Sequence, residues 1–137
     1  MRWIRPSKID GRVSAPPSKS AMIRAVAAAS LAGGLTEIRN PASCDDALAA
    51  LRVAAALGAE VVRSEDSIGI RGRGRPVNSV LDCGESGLCL RLFAPVAALA
   101  KEEITLSGHG SLGRRPVSMM EGPLFDLGVA CRSNAGF

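Results

Sequence analysis

A chain of 137 residues with 47% hydrophobic and 22% charged residues has the size and composition of one packed domain, which excludes a disordered tail or a fibrous repeat. The net charge of +4 permits anionic partners, whereas 3% aromatics, no tyrosine and scattered arginines argue against nucleic-acid binding. The longest apolar stretches, 25–32 and 92–100, fall short of the roughly 18 residues of a membrane span and no signal-peptide pattern opens the chain, so no membrane partner and a cytoplasmic location are expected.

In chain order, residues Asp10 to Ser14 read as a short strand, broken by Ala15-Pro16-Pro17-Ser18. The Ala-rich run from Lys19 to Ala32 reads as a helix stopped by Gly33-Gly34. Leu35 to Arg39 is strand-like, Asn40-Pro41 breaks it, and Ser43 or Asp45 is placed to cap a helix from about Asp46 to Leu57 ending at Gly58. Two β-rich runs follow, Glu60 to Arg63 and Ser67 to Arg71, joined by the turn-like Ser64-Glu65-Asp66. This first stretch therefore reads βαβαββ. After a loop over Gly72 to Pro76 come a strand at Ser79 to Asp82, the glycine-containing Gly84-Glu85-Ser86-Gly87, an apolar helix through Ala100 and a strand at Glu103 to Leu106.

The second stretch echoes the first. Arg91 falls 67 positions after Arg24, and Leu127-Gly128-Val129 follows Leu57-Gly58-Ala59 by 70. The expected fold is α/β, built from repeated βαβαββ units: one full copy over about residues 10–72, and most of a second over about 76–137, incomplete after its second helix and one more strand.

The chemistry gathers at helix starts. In Pro16-Pro17-Ser18-Lys19-Ser20-Ala21-Met22-Ile23-Arg24, the prolines fix the chain before a helix whose first turn carries Lys19 and Ser20, with Arg24 a turn further. Free backbone N–H groups, a hydroxyl and a guanidinium can serve one phosphate or carboxylate there; a capped helix with solvated charges is the alternative. No GxxxxGK[ST] nucleotide loop is present. Gly87 allows close backbone approach at the equivalent helix start, with Arg91 a turn on. Arg114-Arg115-Pro116 offers a third anion site or ordinary surface charge, with Pro116 suited to a helix's first turn, and Asp45-Asp46 reads as a cap rather than an acid-base pair. The excess of arginine fits bidentate anion recognition, but the many alanines beside it also fit a simple coding bias. Cys44, Cys83, Cys89 and Cys131 form no CxxC pair and His109 stands alone, so neither a metal site nor a disulfide is indicated and the thiols are expected free and mostly buried. Composition and spacing thus reach an α/β protein that binds a multiply anionic small molecule.

The elements Pro-x-Ser-Lys-Ser-x-x-x-Arg at 16–24, Asp45-Asp46 before a helix ending Ala-Leu-Gly-Ala, Gly-x-x-Gly-x-x-x-Arg at 84–91 and Arg115-Pro116 together resemble the amino-terminal part of the 5-enolpyruvylshikimate-3-phosphate (EPSP) synthase family. The related UDP-N-acetylglucosamine enolpyruvyl transferases usually carry Lys-Asn, so Ser20 favours the shikimate enzymes. The resemblance implies a partial domain of a larger two-domain transferase, whose missing second domain is the partner needed for turnover. A stand-alone anion-binding or regulatory module is the alternative. By the resemblance, Lys19 is catalytic and contacts both shikimate 3-phosphate and phosphoenolpyruvate; Ser20 and Arg24 bind shikimate 3-phosphate; Gly87 lines the phosphoenolpyruvate site and Arg115 pairs with phosphoenolpyruvate. No cofactor and no metal are implied. Where the family commonly has Gly-Asn-Ala-Gly-Thr, this chain has Gly84-Glu85-Ser86-Gly87-Leu88, and Ile23 replaces a polar residue. The added Glu85 carboxylate would repel phosphoenolpyruvate unless it points away or is paired with an arginine.

Overall fold

The computed structural model describes residues 2–72, 74–134 and 136. Arg73, in the expected loop over 72–76, lies outside the described residues, as do Met1, Ala135 and Phe137.

Ser18 caps the first helix, α1 (Lys19–Leu31), by accepting the Ala21 N–H at 3.2 Å. Its inner face is Met22, Ile23, Val26, Ala27 and Ala29, all buried, and Gly33-Gly34 follow its end. Strand β1 (Thr36–Arg39) leads to α2 (Asp45–Ala56), an Ala-rich helix whose small side chains let it lie close to α1. Gly58, at φ +92°, ends α2: its N–H bonds the Ala55 carbonyl and the Ala59 N–H bonds the Ala54 carbonyl, a Schellman closure. Strands β2 (Glu60–Arg63) and β3 (Ser67–Arg71) complete an antiparallel sheet in the order β1-β3-β2, with Thr36 opposite Ile70 and Val61 opposite the same residue. Strand β3 is central, and its alternate residues Ile68 and Ile70 are buried beneath the helices.

A second sheet pairs β4 (Val80–Asp82) with β5 (Thr105–Ser107) in parallel, with α3 (Gly87–Ala97) as the crossover between them. Ser86 caps α3 through the Cys89 N–H at 3.2 Å, as Ser18 caps α1. A single 3-10 turn at Leu112–Arg114, another at Ser118–Met120 and the short helix α4 (Glu121–Asp126) close the described fold. Helix α4 ends in a Schellman closure at Gly128 (φ +80°), matching the one at Gly58. Helices α1, α2 and α3 share one core with β3 and β4; Phe93, Ile23, Ile70 and Leu81 are its largest fully buried side chains, each worth about 1.5–3 kcal/mol of transfer free energy.

The mixed α/β class holds, with local corrections. Residues 10–14 form no strand: the segment 2–18 has no sheet partner, and Ile9 and Val13 are 93% and 97% exposed. A strand exists only by its ladder, so here the first unit runs αβαββ. Helix α3 stops at Ala97 rather than Ala100, because beyond it the hydrogen bonds shorten to i→i−3 turns at Leu99 and Ala100. No strand follows α4 among the described residues. The cap of α2 is Cys44, without a side-chain bond, so neither Ser43 nor Asp45 caps it. Pro116 lies outside any helix, after the turn at Leu112–Arg114. Cys83 and Cys89 are buried, but Cys44 and Cys131 are exposed.

Candidate functional site

Three helix N-termini converge at the carboxyl end of the parallel strand pair, the end at which open α/β sheets bind ligands. Lys19, the first residue of α1, donates to Asp46 in the first turn of α2 at 2.9 Å across 27 residues of sequence. Asp46 also acts electrostatically on Cys89 in the first turn of α3. The bond from Asp46, then its charge, raises the Lys19 ammonium above its ordinary value, while the nearby Arg115 guanidinium opposes this. Lys19 is therefore cationic throughout the physiological range and half exposed, so its ion pair is exchangeable.

Gly87 opens α3 and is buried. A Cβ built there would lie 2.9 Å from Nη1 of Arg91 and 3.3 Å from Nη1 of Arg115, so two guanidiniums lie over the helix start. Arg91 donates to the Gly87 carbonyl and to the Pro116 carbonyl, both at 3.3 Å, and Arg115 donates to Ser111 Oγ at 3.4 Å. These are long bonds to neutral acceptors, which leaves both cations competent to meet an anion. The geometry thus combines two guanidiniums, an ammonium and the free N–H groups of a helix start.

Among the sequence-predicted residues, Lys19, Gly87 and Arg115 are brought together, with Arg91 joining them. Arg24 is exposed and folds back along its own helix, its Nη1 donating to the Ser20 carbonyl at 3.1 Å. It borders an apolar groove between α1 and α3, lined further by Leu31, Leu92 and Leu99. Ser20 is half-buried one residue after Lys19. Arg91 repeats the Arg24 arrangement, reaching back four residues to a helix-start carbonyl.

Four contributors escaped sequence reasoning. Asp46, read as a cap, is the partner of Lys19. Asp82 accepts the Gly84 N–H at 2.8 Å and so shapes the turn into α3, where Gly84 has φ +60°. Ser18 and Ser86 are the caps of α1 and α3; a serine just before an apolar run was the available signal. Cys89, on the buried side of α3, is pushed up, first by its hydrogen bond with Cys83 and then by burial, and stays a neutral packing thiol. Glu85 accepts the Ser111 N–H at 2.9 Å, and that bond holds its carboxyl below its ordinary value.

Fold and site define an α/β unit that gathers an ammonium and two guanidiniums at helix N-termini, an arrangement whose chemistry suits an anion. Comparison with known proteins then names the lineage. The family model for EPSP synthase (3-phosphoshikimate 1-carboxyvinyltransferase) matches residues 4–137, and the chain belongs to that family. A 3-phosphoshikimate 1-carboxyvinyltransferase of Methanobrevibacter smithii is 40% identical over 134 residues, 95% of this chain and 31% of the relative. That of Chlamydia caviae is 36% identical over 129 residues, 92% of this chain and 29% of the relative. Among solved structures, an EPSP synthase from Acinetobacter baumannii superposes with a TM-score of 0.79 at 26% identity, over 92% of this chain and 30% of that one. The chain therefore spans about a third of the length of the curated relatives it matches.

Proposed function

We infer that this chain is the substrate-binding part of an enolpyruvyl transferase, which moves the enolpyruvyl group of phosphoenolpyruvate to the 5-hydroxyl of shikimate 3-phosphate and releases phosphate, in the shikimate pathway to chorismate and aromatic amino acids. The observation that carries this reading is the convergence of Arg91 and Arg115 over Gly87, beside Lys19, in a chain of the EPSP synthase family.

In the reaction, the 5-hydroxyl oxygen bonds to C2 of phosphoenolpyruvate as its own proton leaves and C3 takes up a proton at the expense of the C2=C3 double bond, giving a tetrahedral intermediate; the C2–O bond to phosphate then breaks and C3 gives up a proton, which restores the double bond. Charge on the phosphate and carboxylate oxygens is what the protein must hold, so fixed cations supply the stabilisation. Arg115 pairs with phosphoenolpyruvate over Gly87, where the helix start adds N–H donors. Lys19 exchanges Asp46 for ligand oxygens and stands between the two substrates as the catalytic cation, while Ser20 and Arg24 take the 3-phosphate of shikimate 3-phosphate. Arg24 needs only a rotamer change, because its tether is one bond to its own helix. Turnover calls for the second domain that the longer relatives carry.

Calorimetric titration of the chain with shikimate 3-phosphate and with phosphoenolpyruvate tests this. Lys19→Ala is expected to weaken both ligands, Arg24→Ala the first and Arg115→Ala the second. Inorganic phosphate serves as the control for simple charge attraction. Binding indifferent to all three substitutions would overturn the reading.

A further inference from the structure

The loop that carries Arg115 is held by contacts with the loop that enters α3. His109 donates its backbone N–H to the Gly84 carbonyl at 2.9 Å. One residue on, Gly110 has φ +56°, and a Cβ there would lie within 2.6 Å of both Glu85 carboxylate oxygens. Glu85 Oε2 accepts the Ser111 N–H at 2.9 Å, and Ser111 Oγ in turn accepts from Arg115 Nη2 at 3.4 Å. The Arg115 backbone N–H closes the turn on the Leu112 carbonyl at 2.9 Å, and the Leu112 side chain is buried in the core. A continuous path therefore runs from the Glu85 carboxylate through Ser111 to the guanidinium over Gly87.

We propose that Glu85 is a positioning residue for Arg115: its carboxylate, set against the Gly110–Ser111 backbone, fixes the loop that sets that arginine over the α3 N-terminus and thereby strengthens phosphoenolpyruvate binding. The role rests on the functional reading above. Simple Coulomb reasoning gives the opposite sign, since a carboxylate beside an anion site repels the ligand. Here the negative charge is engaged by Ser111, and its titratable neighbours are His109 and Arg115. A Cβ at 110 would push the Glu85 carboxylate end aside, so the glycine and the glutamate are matched here.

Two arms test the proposal on the full chain. Without ligand, the Ser111 amide proton resonance should titrate in acid with Glu85, and Glu85→Ala should abolish that titration and shift the Arg115 Nε–H resonance. With phosphoenolpyruvate, Glu85→Ala should weaken binding about tenfold, the loss of one hydrogen bond to a charged group. Glu85→Gln keeps an acceptor for the Ser111 N–H and should restore most of the affinity. In an Arg115→Ala background, Glu85→Ala should cost nothing more. Unchanged or tighter binding by Glu85→Ala overturns the proposal, as does a loss of equal size in the Arg115→Ala background. Should the wild-type chain bind no phosphoenolpyruvate, the functional reading fails. The positioning role then stands or falls on whether the Arg115 resonance moves in Glu85→Ala.

Discussion

Replacing Gly87 with alanine separates binding from stability. Gly87 is not among the positive-φ glycines and begins α3, so an alanine backbone fits without strain and brings a helix propensity gain of up to about 1 kcal/mol. The new Cβ would lie 2.9 Å from Arg91 Nη1 and 3.3 Å from Arg115 Nη1, whereas Leu112 Cδ1 at 3.6 Å is an ordinary contact. With contacts near 3.5 Å as the comfortable distance, the Arg91 tip must retreat by about 0.6 Å and that of Arg115 by about 0.2 Å. Both are ends of flexible side chains, so folding should change by less than about 1 kcal/mol. A charged hydrogen bond spoiled at the anion is worth about 1.5 kcal/mol or more, roughly tenfold in phosphoenolpyruvate affinity. Thermal unfolding and calorimetric titration of Gly87→Ala read the two quantities. Wild-type affinity in the variant would refute the placement of the anion over Gly87. A stability loss beyond about 2 kcal/mol would refute the view that the guanidiniums are movable tips.

The two Schellman glycines should respond unequally. In Gly58→Ala the Cβ would overlap the Arg75 carbonyl at φ +92°, costing about 2–4 kcal/mol by denaturant unfolding, whereas Gly128→Ala, at φ +80° with open space around it, should cost about 1 kcal/mol. Glu121 is held below its ordinary value by its side-chain and backbone hydrogen bonds with Ser133, so its contribution is present above that ordinary value and lost as pH falls through the folded one. Glu121→Gln should accordingly melt lower than wild type at neutral pH, with the two curves converging in acid. Asp46→Asn should bring the Lys19 ammonium back down towards its ordinary value in an NMR titration. The Lys19–Asp46 contribution to stability is complete below that ordinary value and fades as pH rises through the raised one.

Local signals carried much of the fold. Strands β2 and β3 coincide with the β-rich runs at 60–63 and 67–71, because alternation with Ile68 and Ile70 inward is a period-2 pattern that one strand displays by itself. Helices α1 and α2 start and stop within a residue of expectation, at Gly33-Gly34 and Gly58. The strand expected at 10–14 failed because pairing is a property of two strands, and the segment joins neither sheet among the described residues. The candidate site divides along the same line. Lys19, Gly87 and Arg115 were legible as residue types at helix starts and turns. The bonds between Lys19 and Asp46, and between Glu85 and Ser111, span 27 and 26 residues and leave no mark in spacing.

The partners of Lys19, Arg91 and Arg115 explain how three cations are held close together. Lys19 is held by a carboxylate, Arg91 by two backbone carbonyls and Arg115 by a hydroxyl, each group supplied by a different loop or helix start. Like charges gathered in one place would separate if left unpaired, so each cation takes a local acceptor. Apart from that of Lys19 the acceptors are neutral and at least 3.3 Å away, so an incoming phosphate or carboxylate would replace them with stronger charge-assisted bonds at small cost. Rigidity belongs to the three packed helices below, where Phe93 and Ile23 are fully buried, and exchange belongs to the side-chain ends above. On this division a substitution in the shared core should act on stability first. Asp46, Glu85 and Ser111 should act on binding first, although none of them is a cation.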